Sequence, residues 1–302
     1  MRVILVGSTG QLGKHLCLTR PNNIKLIIPN RCDLDLANND AVFEYFSNNP
    51  AEWVINSAAF TNVDKAETDK ELVFQINAYG PDYIAKALVK TGGKFLQIST
   101  DYVFSGSQNT PYKTSQNINP CNVYGHSKAK GENLLIKRLT STNQLSILRT
   151  SWLMSPLKGN FASNMIRLLN ERDQLKVVYD QIGSPTSALN LAKAIWKMIE
   201  VNELFSLNKI NFPKISHFAD DGVASWYDVA SFIYQVGIKK GLIKHKSKIF
   251  PIRTIDYPTP APRPFYSILE TQETKKLLKI NGVNWRDALL ENFEVELSSL
   301  DS

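Results

Sequence analysis

The sequence has few cysteines and no long apolar run. Its cysteines are Cys17, Cys32 and Cys121, and no two of them are spaced as CxxC. This odd and dispersed count is typical of reduced thiols in a cytoplasm and not of a disulfide framework. No run of about 18 apolar residues is present that could span a membrane. The first residues run directly into glycines, so we expect no signal peptide and a cytoplasmic location.

The composition also lacks the biases of fibrous, coiled-coil or disordered proteins. Among 302 residues, 43% are hydrophobic and 21% are charged, with no internal repeat. These values are ordinary for a globular protein. The net charge of +7 suits an anionic small molecule at least as well as a nucleic acid. The basic run at 239–248 has no interleaved aromatic residues, so we expect a solvated helix end there and no nucleic-acid or membrane partner.

Apolar runs alternate with helical periods in the first half of the chain. The predicted strands are 3–6, 25–28, 53–56, 94–99 and 145–149, and the predicted helices between them include 40–46, 72–91 and 127–139. Strands that alternate with helices in this way indicate βαβ units with right-handed crossovers. We therefore predict an α/β fold with a Rossmann-like, doubly wound parallel sheet. Ligands of such sheets bind at the carboxyl ends of the strands.

The second half indicates a smaller, mixed α/β domain. Its predicted helices are 186–201, 225–241, 271–280 and 285–297, and the proline-rich stretch 251–264 is predicted to be largely extended. Ser225, with Asp228 three residues later, predicts a capping box at the start of one helix.

A glycine-rich loop follows the first predicted strand and opens a helix. Its GxxGxxG spacing would allow a tight turn, close approach to a pyrophosphate, and close packing of the helix on the strand. The pyrophosphate would then meet free N–H groups at a helix N-terminus. A glycine triplet alone is also consistent with a structural turn, but the flanking strand and helix favour a dinucleotide site. The predicted cofactor-binding residues of this loop are Gly7, Thr9, Gly10, Gln11, Leu12 and Gly13.

The end of the second predicted strand bears on the choice of cofactor. Dinucleotide folds often carry an acid there for the adenosine ribose, whereas this chain has Asn30 and Arg31. A guanidinium can form two hydrogen bonds with a 2′-phosphate, which favours NADPH. The alternative is that Arg31 is a solvated loop residue.

Tyr124 and Lys128 form a YxxxK pair, and Thr100 follows the fourth predicted strand. Residues four apart share one face of a helix, so Lys128 is expected to lie beside Tyr124. A neighbouring ammonium lowers the pKa of a phenol from about 10. YxxxK alone is common by chance, but a hydroxyl, a tyrosine and a lysine in this order after a glycine loop form a specific set.

Several segments together resemble the extended branch of the short-chain dehydrogenase/reductase superfamily. They are 7–13, 56–67, 99–104, 122–125 with Lys128, 149–152, 180–186, 226–227 and 257–264. The resemblance covers nearly the whole chain. It is strongest to members that reduce the C4 ketone of a deoxysugar nucleotide, dTDP-4-dehydro-L-rhamnose, on the route to cell-surface polysaccharide.

The resemblance implies a role for each matching residue. Thr100, Tyr124 and Lys128 would be catalytic, and the last two would also bind the cofactor. The remaining implied contacts are Asp35 and Leu36 with the adenine, Ala58, Ala59 and Thr61 with the ribose and pyrophosphate path, and Thr100, Asp101, Phe104, Tyr124 and Trp152 with the sugar nucleotide. A packing role between domains is the alternative for Trp152.

The resemblance also implies the reaction and the domain division. NADPH, with NADH as an alternative donor, would deliver a hydride to C4 while Tyr124 protonates the oxygen and Thr100 hydrogen-bonds it. Residues 1–152 with about 183–213 would form the NADP-binding domain. Residues of about 153–182 and 214–302 would bind the nucleotide sugar.

Two kinds of function compete with this hypothesis, namely another enzyme of the extended branch and a subunit that is not an enzyme. The related 4,6-dehydratases carry Asp-Glu after the threonine, whereas Tyr102 follows Asp101 here, which disfavours elimination. Another reductase or epimerase of the branch remains an alternative, as does a partner-binding subunit like that of methionine adenosyltransferase. The intact catalytic set favours an enzyme.

A bound metal is not expected. The four histidines are His15, His126, His217 and His245, and their spacing is not that of metal ligands. Some members of the branch hold a divalent ion between two subunits with glutamates, but the matching positions here are His15 and Leu189. We therefore expect no such ion, and either a monomer or a homodimer.

Overall fold

A six-stranded parallel sheet forms the centre of the protein. The computed structural model describes residues 1–139, 143–156 and 159–300, without the side chains of 296–300. The strands of the sheet lie in the order β10-β5-β4-β3-β1-β2. They are β1 (Arg2–Val6), β2 (Lys25–Ile27), β3 (Trp53–Asn56), β4 (Lys94–Thr100), β5 (Leu145–Thr150) and β10 (Ile215–His217). The order reverses between β1 and β3, which confirms the predicted doubly wound fold.

Both faces of this sheet are covered by helices. Val3 and Leu5 of β1 face one apolar cluster, while Ile4 and Val6 face the other. Because both faces of the sheet are buried, strand sequences such as that of β1 are continuous runs of aliphatic residues and do not alternate with polar ones. The helices of the first half are α1 (Gln11–Leu18), α2 (Asn39–Asn48), α3 (Val63–Ala66), α4 (Lys70–Phe74), α5 (Gly80–Thr91) and α6 (Val123–Arg138).

The predicted helix 72–91 is interrupted. A π-helical turn, Gln75–Tyr79, separates α4 from α5. Pro81 follows this turn and has no N–H to donate to the carbonyl of Asn77, so the regular ladder cannot continue through it. The Asn77 side chain instead accepts from the backbone N–H of Phe60 at 2.8 Å and donates to the Ser127 hydroxyl at 3.0 Å. The turn therefore ties the loop after β3 to α6.

The second half contains five helices among the described residues and three small strand pairs. The helices are α7 (Phe161–Glu171), α8 (Ala188–Leu207), α9 (Trp226–Lys239), α10 (Gln272–Leu278) and α11 (Trp285–Leu300). The pairs are β6 (Leu153–Met154) with β9 (Thr186–Ser187), β7 (Gln174–Val178) with β12 (Lys248–Ile252), and β8 (Ile182–Gly183) with β11 (Ala224–Ser225). Ser225 and Asp228 form the predicted capping box at the start of α9.

Two features of the second half differ from the sequence analysis. Helix α7 and the short strands between residues 153 and 187 carried no recognised pattern. Strand β10 pairs with β5 in the main sheet, although it lies beyond the predicted domain boundary near residue 213. A three-residue strand at a sheet edge is too short to show a period in the sequence. Across the described ranges, no helix is both long and apolar enough to cross a membrane.

Candidate active site

A cleft of about 770 Å³ opens at the carboxyl ends of β1, β3, β4 and β5, where the strand order reverses. All the predicted site residues but one line this cleft. They are Gly7, Thr9, Gly10, Gln11, Leu12, Gly13, Arg31, Asp35, Leu36, Ala58, Ala59, Thr61, Thr100, Asp101, Tyr124, Lys128 and Trp152. The exception is Phe104.

The glycine loop brings backbone into the cleft at the start of α1. A Cβ at Gly13 would lie 2.2 Å from the Gly7 carbonyl oxygen, so no larger residue fits between the helix and the loop. The N-cap of α1 is Gly10, which provides no side-chain cap, and the first turn carries no acidic residue. The N–H groups of this turn therefore face the cleft without a carboxylate to compete for them, as an anion site requires.

Arg31 lies at the rim of the cleft. Its neighbour Asn30 accepts hydrogen bonds from the N–H groups of Cys32 and Asp33, which fixes a turn directly after β2. Arg31 is exposed on this turn, and Asp35 is exposed beyond it. The guanidinium is thus available to an anionic group bound at the rim.

Tyr124 lies in the first turn of α6, which begins earlier than predicted. Asn122 caps this helix by accepting from the Gly125 N–H at 2.8 Å. One turn further along, Lys128 is buried and donates to the Ile98 carbonyl at 2.7 Å. Thr100 ends β4 beside the tyrosine, so the helix and the strand bring all three predicted catalytic residues together.

The pKa of Tyr124 differs from the sequence-based expectation. Desolvation of the phenol raises its pKa to about 12, and the hydrogen bond with Thr100 opposes this rise only partly. Burial lowers the pKa of Lys128 to about 8, against the opposing effect of Glu132. No lowering of the Tyr124 pKa by Lys128 is found, and desolvation of the phenol is the dominant effect. With its pKa raised, Tyr124 is expected to hold its proton at neutral pH and to be able to donate it.

Asp101 is buried at the lining of the cleft. Its carboxylate accepts from the Thr100 hydroxyl at 2.9 Å and from the Ser151 hydroxyl at 3.0 Å. Burial raises the pKa of Asp101 to about 6, since these hydrogen bonds offset only part of the desolvation.

Two stacked tryptophans, Trp152 and Trp226, also line the cleft and are called the tryptophan wall here. The rings of Trp152 and Trp226 lie 3.7 Å apart and nearly parallel, and the Trp226 indole N–H donates to Gln181 at 3.1 Å. Trp152 has a φ of 42°, in the left-handed region. A Cβ at Gly183 would lie 2.4 Å from the Trp152 ring. The ring therefore occupies its position only because residue 183 has no side chain.

Phe104 was predicted to contact the substrate and does not reach the cleft. It is 1% exposed and stacks on Tyr112 at 4.3 Å. The guanidinium of Arg149 lies over its ring at 5.1 Å. Arg149 lies 45 positions further along the chain, so sequence position alone did not reveal that Phe104 packs away from the cleft.

Trp226 was missed as a site residue, although its segment contributed to the resemblance. A tryptophan directly after a helix-capping serine was the available signal, since the start of a helix often faces a ligand site. The sequence alone gave no indication that Trp226 would meet Trp152.

No group of three or more His, Cys, Asp or Glu residues that could hold a metal ion occurs within the described ranges. At the positions considered for an ion between subunits, His15 is buried and its Nε2 lies 2.9 Å from the Asn292 side-chain oxygen. Leu189 is also buried.

The fold and the cleft place the protein among the dinucleotide-dependent oxidoreductases of the extended short-chain dehydrogenase/reductase type. Within that class, the chain belongs to the family described as the RmlD substrate binding domain, whose profile matches residues 1–297.

Similar proteins span almost the same length. The dTDP-4-dehydrorhamnose reductase of Aggregatibacter actinomycetemcomitans is 35% identical over 290 residues, which cover 95% of this chain and 97% of the relative. The spore coat polysaccharide biosynthesis protein SpsK of Bacillus subtilis is 35% identical over 301 residues, 99% of each chain. A crystal structure of dTDP-4-dehydrorhamnose reductase from Bacillus anthracis in complex with NADP is 33% identical. It superposes with a TM-score of 0.87 and covers 98% of this chain and 99% of its own.

Proposed function

We propose that this protein reduces the C4 ketone of dTDP-4-dehydro-L-rhamnose to dTDP-L-rhamnose with NADPH, for the synthesis of cell-surface polysaccharide. One observation carries this conclusion. Thr100, Tyr124 and Lys128 come together in the cleft that the glycine loop and the tryptophan wall also line. The substrate is a small nucleotide sugar, so the protein needs no nucleic-acid or membrane partner. We place it in the cytoplasm as a monomer or a homodimer, where its free thiols stay reduced.

The residues of the nucleotide side fit NADPH. The N–H groups at the start of α1 would hold the pyrophosphate, with Ala58, Ala59 and Thr61 along its path. Asp35 and Leu36 would flank the adenine, and Arg31 would pair with the 2′-phosphate. When bound, NADPH supplies the hydride that reduces C4.

Tyr124 is the proposed proton donor. A phenol with a raised pKa holds its proton at neutral pH, and the alkoxide that develops at the C4 oxygen is a far stronger base than a carbonyl. The O–H bond of Tyr124 breaks as the new O–H bond of the product forms, leaving a phenolate. Lys128 would stabilise that phenolate and orient the cofactor ribose.

Thr100 and Asp101 are hydrogen-bonded to each other beside the site of this proton transfer. The Thr100 hydroxyl has one proton, which it donates to Asp101 in the structure. To hydrogen-bond the C4 oxygen, it must turn that proton toward the substrate. Asp101 is therefore proposed to act on the substrate through Thr100, and Trp152 is proposed to provide an apolar face for the deoxysugar.

The competing functions fit this cleft less well. Tyr102 lines the cleft where the dehydratases carry a glutamate, so the acid needed for elimination is missing. A partner-binding subunit would have no need of a tyrosine, a threonine and a lysine assembled at a cofactor cleft.

The test is NADPH oxidation by the purified chain with dTDP-4-dehydro-L-rhamnose, followed by absorbance, with dTDP-L-rhamnose identified by mass spectrometry. The control is dTDP-glucose, which has no ketone to reduce and is expected to leave NADPH unchanged. NADPH binding without turnover of the ketone would favour the subunit alternative instead.

A further inference from the structure

The segment 261–267, here called the strap, is held against the nucleotide side by an ion pair with Asp64. The Arg263 guanidinium donates to one Asp64 oxygen at 2.8 Å, and the Ala261 N–H donates to the other at 3.2 Å. Arg263 also donates to the Ala261 carbonyl at 3.0 Å. Both Asp64 and Arg263 are partly shielded from solvent. Two bonds thus hold the strap on α3, and a third, within the strap, orients the Arg263 side chain.

The same strap contacts the cap of the helix that carries Tyr124. The Asn122 side chain accepts from the Gly125 N–H with its oxygen and donates to the Pro262 carbonyl at 2.9 Å with its nitrogen. Asn122 is 3% exposed, so these bonds form away from competing water. The next N–H, of Val123, donates to Glu67 at 2.9 Å, at the end of α3. The first turn of α6 is therefore bonded both to the strap and to the helix that holds it.

The other end of the strap reaches the tryptophan wall. The Ile182 N–H donates to the Phe265 carbonyl at 2.8 Å, and the Ser267 N–H donates to the Ile182 carbonyl at 2.9 Å. Ile182 precedes Gly183, against which the Trp152 ring lies. The strap thus connects the start of α6, which carries the proposed proton donor, with the strand against which the tryptophan wall packs.

We propose that Arg263 and Asp64 are positioning residues that, through the strap and Asn122, set the distance between Tyr124 and the tryptophan wall. This inference rests on the proposed reduction of a nucleotide sugar. The strap does not line the cofactor cleft, so its effect falls on the alignment of the proton donor with the sugar and not on NADPH binding. Small misplacements of reacting groups cost turnover steeply.

The test compares Arg263→Gln with Arg263→Lys and with Arg167→Gln. The lysine variant keeps a charge for Asp64 but loses the second bond to Ala261. Arg167→Gln is the matched control, because it removes an arginine from an exposed ion pair with Glu171 outside the cleft. The measurements are kcat, the KM for the nucleotide sugar, the Kd for NADPH, the melting temperature, and hydrogen exchange of the α6 amides.

For Arg263→Gln we expect kcat to fall by about 10- to 100-fold. The NADPH Kd should stay within about twofold of wild type. Exchange should speed up at residues 123–126 and stay unchanged at 129–138. Arg263→Lys should recover most of the lost turnover, and Arg167→Gln should match wild type in all measurements.

Three results would overturn the proposal. One is a kcat of Arg263→Gln within about threefold of wild type. Another is a parallel loss of turnover, NADPH affinity and thermal stability, which would indicate a general folding role. If the glutamine variant does not fold, Asp64→Asn decides, because it removes the charge from the other side of the same ion pair: wild-type turnover with unchanged exchange at 123–126 would refute the role. An inactive wild-type chain would refute the proposed function, and the exchange comparison would still decide on the strap.

Discussion

The two walls of the cleft are built in different ways. The nucleotide wall consists of strand ends, backbone N–H groups and small side chains on the regular βαβ frame. The tryptophan wall, which is proposed to bind the sugar and is called the sugar wall below, consists of two large rings. Their positions depend on a left-handed backbone at Trp152, a bare Gly183 and a hydrogen bond from Trp226 to Gln181. Binding of the dinucleotide is therefore expected to tolerate side-chain changes that the sugar site does not. The following experiments test this contrast, from the largest expected effect to the smallest.

Tyr124→Phe should have the largest effect, because it removes only the hydroxyl that is proposed to protonate the C4 oxygen. We expect kcat to fall by at least about 100-fold, while NADPH still binds. A donor acid works while it is protonated and loses activity as pH rises through its pKa. Since desolvation raises the pKa of Tyr124 to about 12, the wild type should show no loss of kcat up to a pH of about 10.

The measurement is a pH profile of kcat for both proteins. A loss of wild-type activity below that range, absent from Tyr124→Phe, would show that the bound cofactor and Lys128 lower the phenol pKa after all. Turnover of the variant within about threefold of wild type would remove the case for Tyr124 as the donor.

Asp101→Asn should show how the buried carboxyl affects the stability of the protein, separately from its effect on turnover. The carboxyl has a pKa of about 6 in the fold against 3.8 for the free group, so the folded state binds a proton more tightly than the unfolded state. The contribution of Asp101 to wild-type stability is therefore expected to decline as pH rises from about 4 to about 6. Asparagine cannot ionise, and the variant should gain up to about 3 kcal/mol relative to wild type at neutral pH.

Thermal or urea unfolding of both proteins across this pH range provides the measurement, with kcat recorded in parallel. The relative stability of the two should converge below a pH of about 4. A difference that does not vary with pH would mean that folding does not shift the pKa of Asp101.

Trp152→Ala should lower kcat/KM for the keto sugar and leave the affinity for NADPH unchanged. The loss of an apolar face is worth about 1–3 kcal/mol in substrate discrimination, or about 10- to 200-fold in kcat/KM. Steady-state kinetics and a NADPH titration would measure the two sides separately. If NADPH affinity falls as much as kcat/KM for the sugar, the contrast between the walls fails and Trp152 is a residue of domain packing.

Arg31→Ala should have the smallest effect, because the side chain is exposed at the rim. We expect the KM for NADPH to rise by about five- to tenfold, from the loss of about 1 kcal/mol of binding to the 2′-phosphate. The KM for NADH should stay nearly unchanged, since NADH has no such phosphate. Equal effects on both cofactors would argue against this contact.

Much of the nucleotide wall could be predicted because its chemistry is local in sequence. The glycine spacing after an aliphatic strand, and the Tyr124–Lys128 spacing within one helix, each carry their geometry with them. The structure places all of these residues at one cleft.

The sugar wall could not be predicted to the same degree, because its geometry comes from contacts between distant segments. Trp226 meets Trp152 across 74 positions of sequence, and the ring of Phe104 packs under Arg149 from 45 positions away. The pKa of Tyr124 shows the same limit. Motif spacing places a lysine beside a phenol, whereas the balance between that charge and desolvation depends on the packed environment.

The conformation of Trp152 has a consequence for engineering this cleft. A bulky residue held at positive φ costs about 1–3 kcal/mol of backbone strain. Stacking of the Trp152 ring on Trp226, and the space left because Gly183 has no side chain, must offset this strain. Changes at the two positions are therefore expected to be strongly non-additive: a side chain at 183 would expel the indole, whereas the same side chain beside a small residue at 152 would be tolerated. Redesign of sugar specificity should accordingly vary residues 152 and 183 as a pair, because a library that samples one position at a time would discard the productive combinations.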